Sequence, residues 1–160
     1  MRKWLKGLFI TFVVLAAIQF VPAARTNPPV DPKKEISAHM PVDPAVAAAL
    51  ARSCNDCHSN RTVWPSYSKV APVSWLVAHD VNAGREELNF SEWGAGKERE
   101  PAELLGKICK EVSDGEMPGA AYSFMHPRAR LTKADVQTIC NWTQSVSRNV
   151  ARTAEDEDDD

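Results

Sequence analysis

Cys54-Asn55-Asp56-Cys57-His58 forms a C-x-x-C-H pentapeptide, the attachment signature of c-type haem, in a chain of 160 residues. The two-residue spacer lets one helical turn present both thiols to one edge of a porphyrin, where they can add across its vinyl groups. The adjacent imidazole can then reach the iron. The motif therefore predicts one haem c, bound covalently by Cys54 and Cys57, with His58 as the proximal iron ligand.

Half of a zinc site is the alternative explanation for a cysteine pair beside a histidine. Such a site needs a second pair of ligands at close spacing. The other two cysteines, Cys109 and Cys140, stand alone in the sequence. The pattern therefore favours haem.

The N-terminus has the features of an export signal. Three basic residues stand among the first six, and the following run, residues 7–24, is apolar except for Thr11 and Gln19. The run is just long enough to span a membrane, and the basic residues before it predict a cytoplasmic N-terminus with the remainder in the periplasm. We expect residues 1–24 to be a retained inner-membrane anchor. A cleaved signal, which would leave a soluble periplasmic protein, is the alternative.

Composition divides the remainder into three parts. Residues 25–43 are rich in proline, which restrains both itself and the residue before it, and should form an irregular spacer. Residues 44–148 suffice for one haem-binding domain with one core. The chain ends in six acidic residues, so we expect residues 149–160 to be a disordered tail, either a solubilising end or a handle for a basic partner.

The charge pattern gives no support for a nucleic-acid or nucleotide partner. The formal net charge is −2, and without the acidic end the chain is mildly basic. We find no basic stripe with interleaved aromatic residues and no glycine-rich phosphate loop.

Two helices are predicted on either side of the pentapeptide. Asp43 offers an N-cap and Pro44 suits the first helical position, so the first helix should run to Cys54 with Val46 and Leu50 on the same face. Residues 60–72 are aromatic and turn-rich and should wrap the haem edge. A second helix is expected over residues 72–83, with these residues in helical rhythm: Val73, Leu76, Val77, Asp80 and Val81.

Two further helices have the clearest periodicity. Residues 98–113 repeat apolar side chains at i, i+3, i+4 and i+7, which places Cys109 on a buried face. In the last helix Thr132 and Asp135 make a capping box, and the same spacing places Cys140 on a buried face. We therefore expect an all-α fold, a cytochrome-c-like bundle of short helices around one covalently bound haem, preceded by an N-terminal apolar helix.

The loop over residues 114–122 offers a second iron ligand. A thioether is a soft ligand suited to low-spin haem iron. Met117 follows Gly115 by two positions and precedes Pro118, and these residues fix a loop that can point the sulfur inward. A lone methionine is more often a filler of the core. The competing candidates are Met125, His126 and His79, followed by His39 and Met40.

Short motifs are spread in order along most of the chain. They are Gln19-Phe20-Val21-Pro22, Thr26-Asn27-Pro28-Pro29-Val30, residues 54–60, residues 62–68, residues 71–76, Asp80-Val81, residues 89–93, Gly115-Glu116-Met117-Pro118, and Tyr122 with His126-Pro127. In these motifs the chain resembles the bacterial haem-binding domain family of single-haem c-type cytochromes, membrane-anchored or periplasmic. The resemblance implies a cytochrome-c-like fold, haem on Cys54 and Cys57, and His58 on the iron. Cys109 and Cys140 are not part of the family pattern.

Two functions from different classes follow from this site. With His58 and Met117 both on the iron, the haem would pass single electrons between redox partner proteins on the outer face of the inner membrane, without enzymatic activity. With Met117 absent or labile, the open iron would serve a haem-based sensor or a peroxidase-like protein. A distal acid or base is represented only by His79 and His126, so electron transfer is favoured.

Cys109 and Cys140 lie on helices that flank the Met117 loop. The exported compartment is oxidising, so the sequence predicts a disulfide between them that clamps the two supports of the loop. Two independent buried thiols are the alternative, since free cysteine is often buried as a small apolar residue.

Thioether attachment predicts that the haem stays with the protein through denaturation and acid-acetone extraction. The double variant Cys54→Ala/Cys57→Ala should yield apoprotein, poorly folded because the cofactor joins the helices. Haem staining of denaturing gels measures this directly. Complete loss of haem from the unmodified protein on extraction would show that the attachment is not covalent.

Overall fold

The computed structural model describes residues 2–93 and 101–158, and over these ranges it is all-helical with no strand. The expectation of an all-α fold is confirmed. The eight α-helices in the described ranges are α1 (Arg2–Ala17), α2 (Ile36–His39), α3 (Pro44–Ser53), α4 (Asn55–His58), α5 (Val73–Glu87), α6 (Pro101–Ser113), α7 (Ala120–Met125) and α8 (Lys133–Asp158). Short 3-10 turns cover Ile18–Phe20, Ser66–Lys69 and Pro127–Ala129.

The N-terminal apolar helix is present as predicted. Together with the 3-10 turn that follows it, α1 forms a 19-residue helix, Arg2–Phe20, with a mean hydropathy of 1.5. None of this stretch is buried against the rest of the molecule. By length and composition the helix can cross a membrane.

The core is centred on the packing of α6 against α8. Leu105 on α6 and Ile139 on α8 are completely buried, and Trp142 is 5% exposed. Full burial of each aliphatic side chain stabilises the fold by roughly 1.5–3 kcal/mol. The helix predicted over residues 98–113 is confirmed from Pro101 to Ser113, while its first residues lie outside the described ranges.

Helix α3 follows the prediction closely. Asp43 is its N-cap residue and Pro44 its first residue, although the Asp43 side chain makes no capping hydrogen bond. Val46 and Leu50 are buried as expected. The helix ends one residue before Cys54, whose backbone then starts a separate turn.

The predicted spacer contains more structure than its prolines suggest. A single helical turn forms at Ile36–His39, and Ile36 and Met40 are each only 7% exposed. The Ile36 amide donates to the Phe90 carbonyl at 2.8 Å, which joins this segment to the core. Residues 33–40 contain no proline, so the backbone is free to form this turn. The burial of two apolar side chains offsets the conformational entropy that is lost when the turn becomes ordered.

Helix α5 confirms the second predicted helix, but only part of its apolar rhythm is buried. It extends to Glu87, and its buried residues are Ser74, Ala78 and Val81. Val81, one of the residues in the predicted helical rhythm, is buried, whereas Val73 and Leu76 of the same rhythm are 42% and 58% exposed. The periodicity of large apolar side chains does not predict this burial pattern, because two of the three buried residues, Ser74 and Ala78, are small.

Helix α8 begins with the predicted capping box. The Asp135 amide donates to Thr132 Oγ1 at 3.1 Å, and the Thr132 amide donates to Asp135 Oδ2 at 2.8 Å. The helix then continues to Asp158, through most of the segment expected to be a disordered tail. Once a helix is nucleated by its packed part, each added residue gains one backbone hydrogen bond, which favours this extension.

A disulfide links α6 to α8. It joins Cys109 and Cys140, the pair that the sequence predicts, with Cα atoms 4.8 Å apart. Both residues are half-buried rather than fully buried. The cross-link therefore ties the helix before the Met117 loop to the helix that closes the domain.

Removing this cross-link should lower stability without releasing haem. The disulfide closes a separation of 31 residues, so Cys109→Ala/Cys140→Ala should reduce the free energy of unfolding by roughly 3–4 kcal/mol through greater freedom of the unfolded chain. Urea unfolding compares the two proteins. Two alkylated thiols in the denatured, unreduced wild-type protein would contradict the pairing.

Candidate functional site

A cavity of about 550 Å³ opens between α4, α5, α6 and the start of α7. Its volume lies in the range of about 300–1,000 Å³ that is typical of sites for small molecules and cofactors. Cys54, Cys57, His58 and Met117 all line it. The structure thus brings together the four residues that the sequence proposed as haem ligands, although Met117 is distant from the pentapeptide along the chain.

The orientation of His58 is set by the end of α5. Its Nδ1 lies 3.0 Å from the Gly84 carbonyl oxygen and 3.1 Å from that of Leu88. Because both oxygens are acceptors, Nδ1 carries the proton and donates it. The opposite nitrogen, Nε2, is left with the lone pair that a metal ion needs.

Burial of the His58 side chain keeps its imidazole neutral. Desolvation lowers the pKa of His58, and this effect outweighs the two backbone hydrogen bonds that act in the opposite direction. A neutral ring with a fixed tautomer is the form that ligates iron.

Gly84 allows α5 to approach the pentapeptide closely. A Cβ atom at this position would lie 2.7 Å from the Cys57 carbonyl oxygen, nearer than real Cβ atoms come to backbone. Glycine is required here by the distance between two backbones.

The environment of the two cysteines suits thioethers better than metal thiolates. Both thiols are free and half-buried. Burial, followed by the charge of neighbouring groups, raises the pKa of Cys54 to about 12 and that of Cys57 to about 11. Zinc needs deprotonated thiolates, whereas thioether formation leaves an uncharged sulfur, so the site fits covalently bound haem.

The Met117 loop is anchored to the end of α6. The amides of Glu116 and Met117 both donate to the Glu111 carbonyl, at 3.0 and 3.1 Å. Gly115 has a φ of 75°, a left-handed conformation that favours glycine. Met117 is 42% exposed at the mouth of the cavity.

The competing ligand candidates lie elsewhere. Among the described residues that line the cavity, Met117 is present and Met125, His126 and His79 are not. Met40 is buried in the core, and His39 is exposed on α2. The arrangement therefore favours Met117 over every alternative that the sequence offered.

Comparison with known proteins identifies the chain at the level of its family. The model of a haem-binding domain family matches residues 13–145. The chain belongs to this haem-binding domain family. No curated protein and no solved structure matches the chain. The family resemblance noted in the sequence is confirmed, and membership of the family supports a haem cofactor.

Two residues of the haem-binding domain have roles that sequence reasoning missed. Asp56, the second spacer residue of the pentapeptide, accepts the Val63 amide at 2.9 Å and the Tyr122 hydroxyl at 2.7 Å. Tyr122 belongs to α7, which directly follows the Met117 loop. This hydrogen bond joins the two parts of the haem site, and an acidic residue inside the spacer was the available signal.

An aromatic cluster supports the Tyr122 contact. His126 stacks on Tyr122 with ring centroids 4.4 Å apart, and its Nε2 lies 2.6 Å from the Tyr67 hydroxyl. Burial and the bond to Asp56 raise the pKa of Tyr122, so the phenol stays a proton donor. His126 is thus engaged by two tyrosines.

Gly84→Ala should disrupt the haem site. The added methyl group must push α5 away from Cys57 and lengthen the hydrogen bond to His58 Nδ1, at a cost of roughly 1–3 kcal/mol. Chemical denaturation and haem content of the purified protein measure the effect.

Gly106→Ala is the matched control, because a Cβ atom at that helical position meets nothing within 4 Å. It should stabilise α6 by up to about 1 kcal/mol. A Gly84→Ala protein as stable and as rich in haem as Gly106→Ala would show that the close approach is not required.

Proposed function

We propose that this haem-binding domain is a single-haem c-type cytochrome that transfers single electrons, with cytochrome-c-like packing of its helices around the cofactor. Cys54 and Cys57 hold the haem as thioethers, and His58 and Met117 are the axial ligands of the iron. The observation that carries the proposal is the meeting of two free thiols, an oriented imidazole and a thioether at one cavity. When bound, haem supplies a reversible one-electron change between ferric and ferrous iron.

The protein orients the imidazole of His58 and surrounds the haem with apolar side chains. The carbonyls of Gly84 and Leu88 hold the imidazole of His58 and increase its basicity through their hydrogen bonds. Apolar side chains such as Phe90, Ile108 and Val112 line the cavity and limit the access of water. Burial, axial ligation and hydrogen bonding together set the potential of the iron.

Constraints on the Met117 loop support its role as a ligand that persists in both oxidation states. The loop is bonded to Glu111 at one end, and α7 is bonded to Asp56 through Tyr122 at the other. The Cys109–Cys140 disulfide joins the helix before the loop to α8. A ligand held in this way needs little rearrangement when the charge on the iron changes.

A sensor or peroxidase-like protein is the alternative, and it would need an open iron position. Such catalysis also needs a distal acid or base near the iron. His58 is the only histidine among the described residues that line the cavity, but carboxylates such as Asp80 and Glu111 line it too, so an acid or base does not separate the two functions. We favour electron transfer to and from redox partner proteins because Met117 also lines the cavity and can fill the sixth iron position.

Two observations support the retention of the N-terminal helix as a membrane anchor. The family match starts at residue 13, inside α1. Gln19 and Val21 make hydrogen bonds to the haem domain that cleavage near Ala24 would remove. With basic residues at its start, the helix would place the haem domain in the periplasm, on the outer face of the inner membrane.

Met117→Ala should open the sixth position of the iron. We expect loss of the weak long-wavelength sulfur-to-iron band of the ferric form, conversion to high spin or water ligation, and a lower midpoint potential, with haem still attached. Optical spectra and redox titration measure these changes.

Met125→Ala is the matched control, since Met125 is exposed on α7 and should leave the spectrum unchanged. An unchanged spectrum in Met117→Ala would contradict the assignment. Rapid binding of carbon monoxide by the unmodified ferrous protein would instead favour the sensor or peroxidase-like alternative.

A further inference from the structure

We propose that the haem domain docks onto the outer leaflet of the membrane through an apolar surface at the start of α5, so that its orientation to the bilayer is fixed. This inference rests on the proposed anchoring by α1. The docking surface consists of Val70, Val73 and Leu76.

The docking surface is an exposed face of three large apolar side chains. Val70, Val73 and Leu76 are 56%, 42% and 58% exposed. Val73 and Leu76 lie three residues apart on α5 and so share one face of that helix. Val70 lies just before the helix in an extended conformation, and its carbonyl accepts the Ser74 amide at 2.9 Å, which holds it at the start of α5. None of the three lines the haem cavity.

Two side chains attach this surface to the end of the membrane helix. The Gln19 amide group donates to the Ala71 carbonyl at 3.1 Å and accepts from the Ala71 amide at 3.0 Å. Trp75 Nε1 donates to the Val21 carbonyl at 3.1 Å. Gln19 lies in the last turn of the apolar helix, so Ala71 and the residues beside it sit where the span ends.

The membrane is the occupant that continuity with the span indicates. Phe20 and Val21, at the end of the span, are 87% and 54% exposed, and the hydrogen bonds of Gln19 to Ala71 and of Trp75 to Val21 hold this apolar end beside the start of α5. Trp75 stands beside them, and tryptophan is enriched at the level of the lipid headgroups, where its ring and its N–H find suitable surroundings. An apolar surface held at the level of the lipid headgroups is in contact with lipid, so the membrane is favoured over a soluble partner as its occupant.

A second set of hydrogen bonds removes the freedom of the connecting segment. Arg85 donates to the Thr26 carbonyl and to Asn27 Oδ1, each at 2.8 Å. Trp64 Nε1 donates to the same Asn27 oxygen at 3.1 Å, and Asn27 Nδ2 donates to the Thr62 carbonyl at 2.9 Å. The chain between the span and the domain is therefore a fixed strap.

Docking would set the position of the haem relative to the bilayer. The helix that begins in the docking surface also lines the haem cavity from Asp80 onward. Seven residues separate Val73 from Asp80, which is about 10 Å along a helix axis. The cofactor would stay near the membrane in one orientation.

Thiol accessibility in lipid nanodiscs tests the proposal with the full-length haem protein. Single cysteines replace Leu76 and Val70 in the docking surface, Phe12 in α1, and Gln137 as a matched site exposed on α8. The nanodiscs contain phosphatidylethanolamine and phosphatidylglycerol with one protein per disc. A charged, membrane-impermeant thiosulfonate and the membrane-permeant N-ethylmaleimide are compared, each rate being normalised to that in denaturant.

We expect Leu76→Cys and Val70→Cys to react several-fold more slowly with the charged reagent than Gln137→Cys, and all four variants to react with N-ethylmaleimide. Adding Gln19→Ala should raise the rate at Leu76→Cys, because one of the two side-chain attachments of the surface to the span is then lost. Phe12→Cys should be protected throughout.

Three results would overturn the proposal in distinguishable ways. Equal rates at Leu76→Cys and Gln137→Cys, with Phe12→Cys protected, refute docking and leave the anchor intact. Fast charged-reagent labelling of Phe12→Cys refutes the anchor and docking together. Protection of Leu76→Cys only in discs that hold two proteins assigns the surface to a second copy of the chain rather than to lipid.

Discussion

The close contact between α5 and the pentapeptide is the constraint on which the haem site depends. Gly84 brings the two backbones together, with room for no Cβ atom between the helix and the Cys57 carbonyl. At that distance the carbonyls of Gly84 and Leu88 reach His58 Nδ1 and fix its tautomer. The glycine that makes the packing possible also presents a carbonyl oxygen that orients the imidazole of His58, the proposed iron ligand, so one interaction serves both the fold and the candidate site.

The second half of the site is assembled from the C-terminal part of the chain. The end of α6 holds the Met117 loop through the Glu111 carbonyl, and the disulfide ties α6 to α8. Asp56 then links this half to the pentapeptide by accepting the Tyr122 hydroxyl. Interactions at several separate points therefore hold the two halves of the candidate site together.

The segment between the N-terminal apolar helix and the haem-binding domain is bonded to that domain and is not a free linker. Gln19, Asn27 and Arg85 connect it to the domain by side-chain hydrogen bonds. Proline in this stretch lowers the conformational entropy of the unfolded chain. Less entropy is therefore lost when the segment becomes fixed on folding. The position of the N-terminal apolar helix and that of the haem-binding domain are thereby coupled.

The amino-acid sequence alone determined the local and chemical features of this protein. The pentapeptide identified the cofactor, the capping box of Thr132 and Asp135 located the last helix, and the periodicity of α6 located Leu105 in the core, because each signal depends on residues close together in the chain. Tertiary structure decided the rest. Val73 and Leu76 face outward, Met40 enters the core, and Gly84 and Tyr122 join the haem site, since each of these outcomes depends on distances between segments far apart in sequence. Local patterns carry no information about such distances, which are set by how the helices pack.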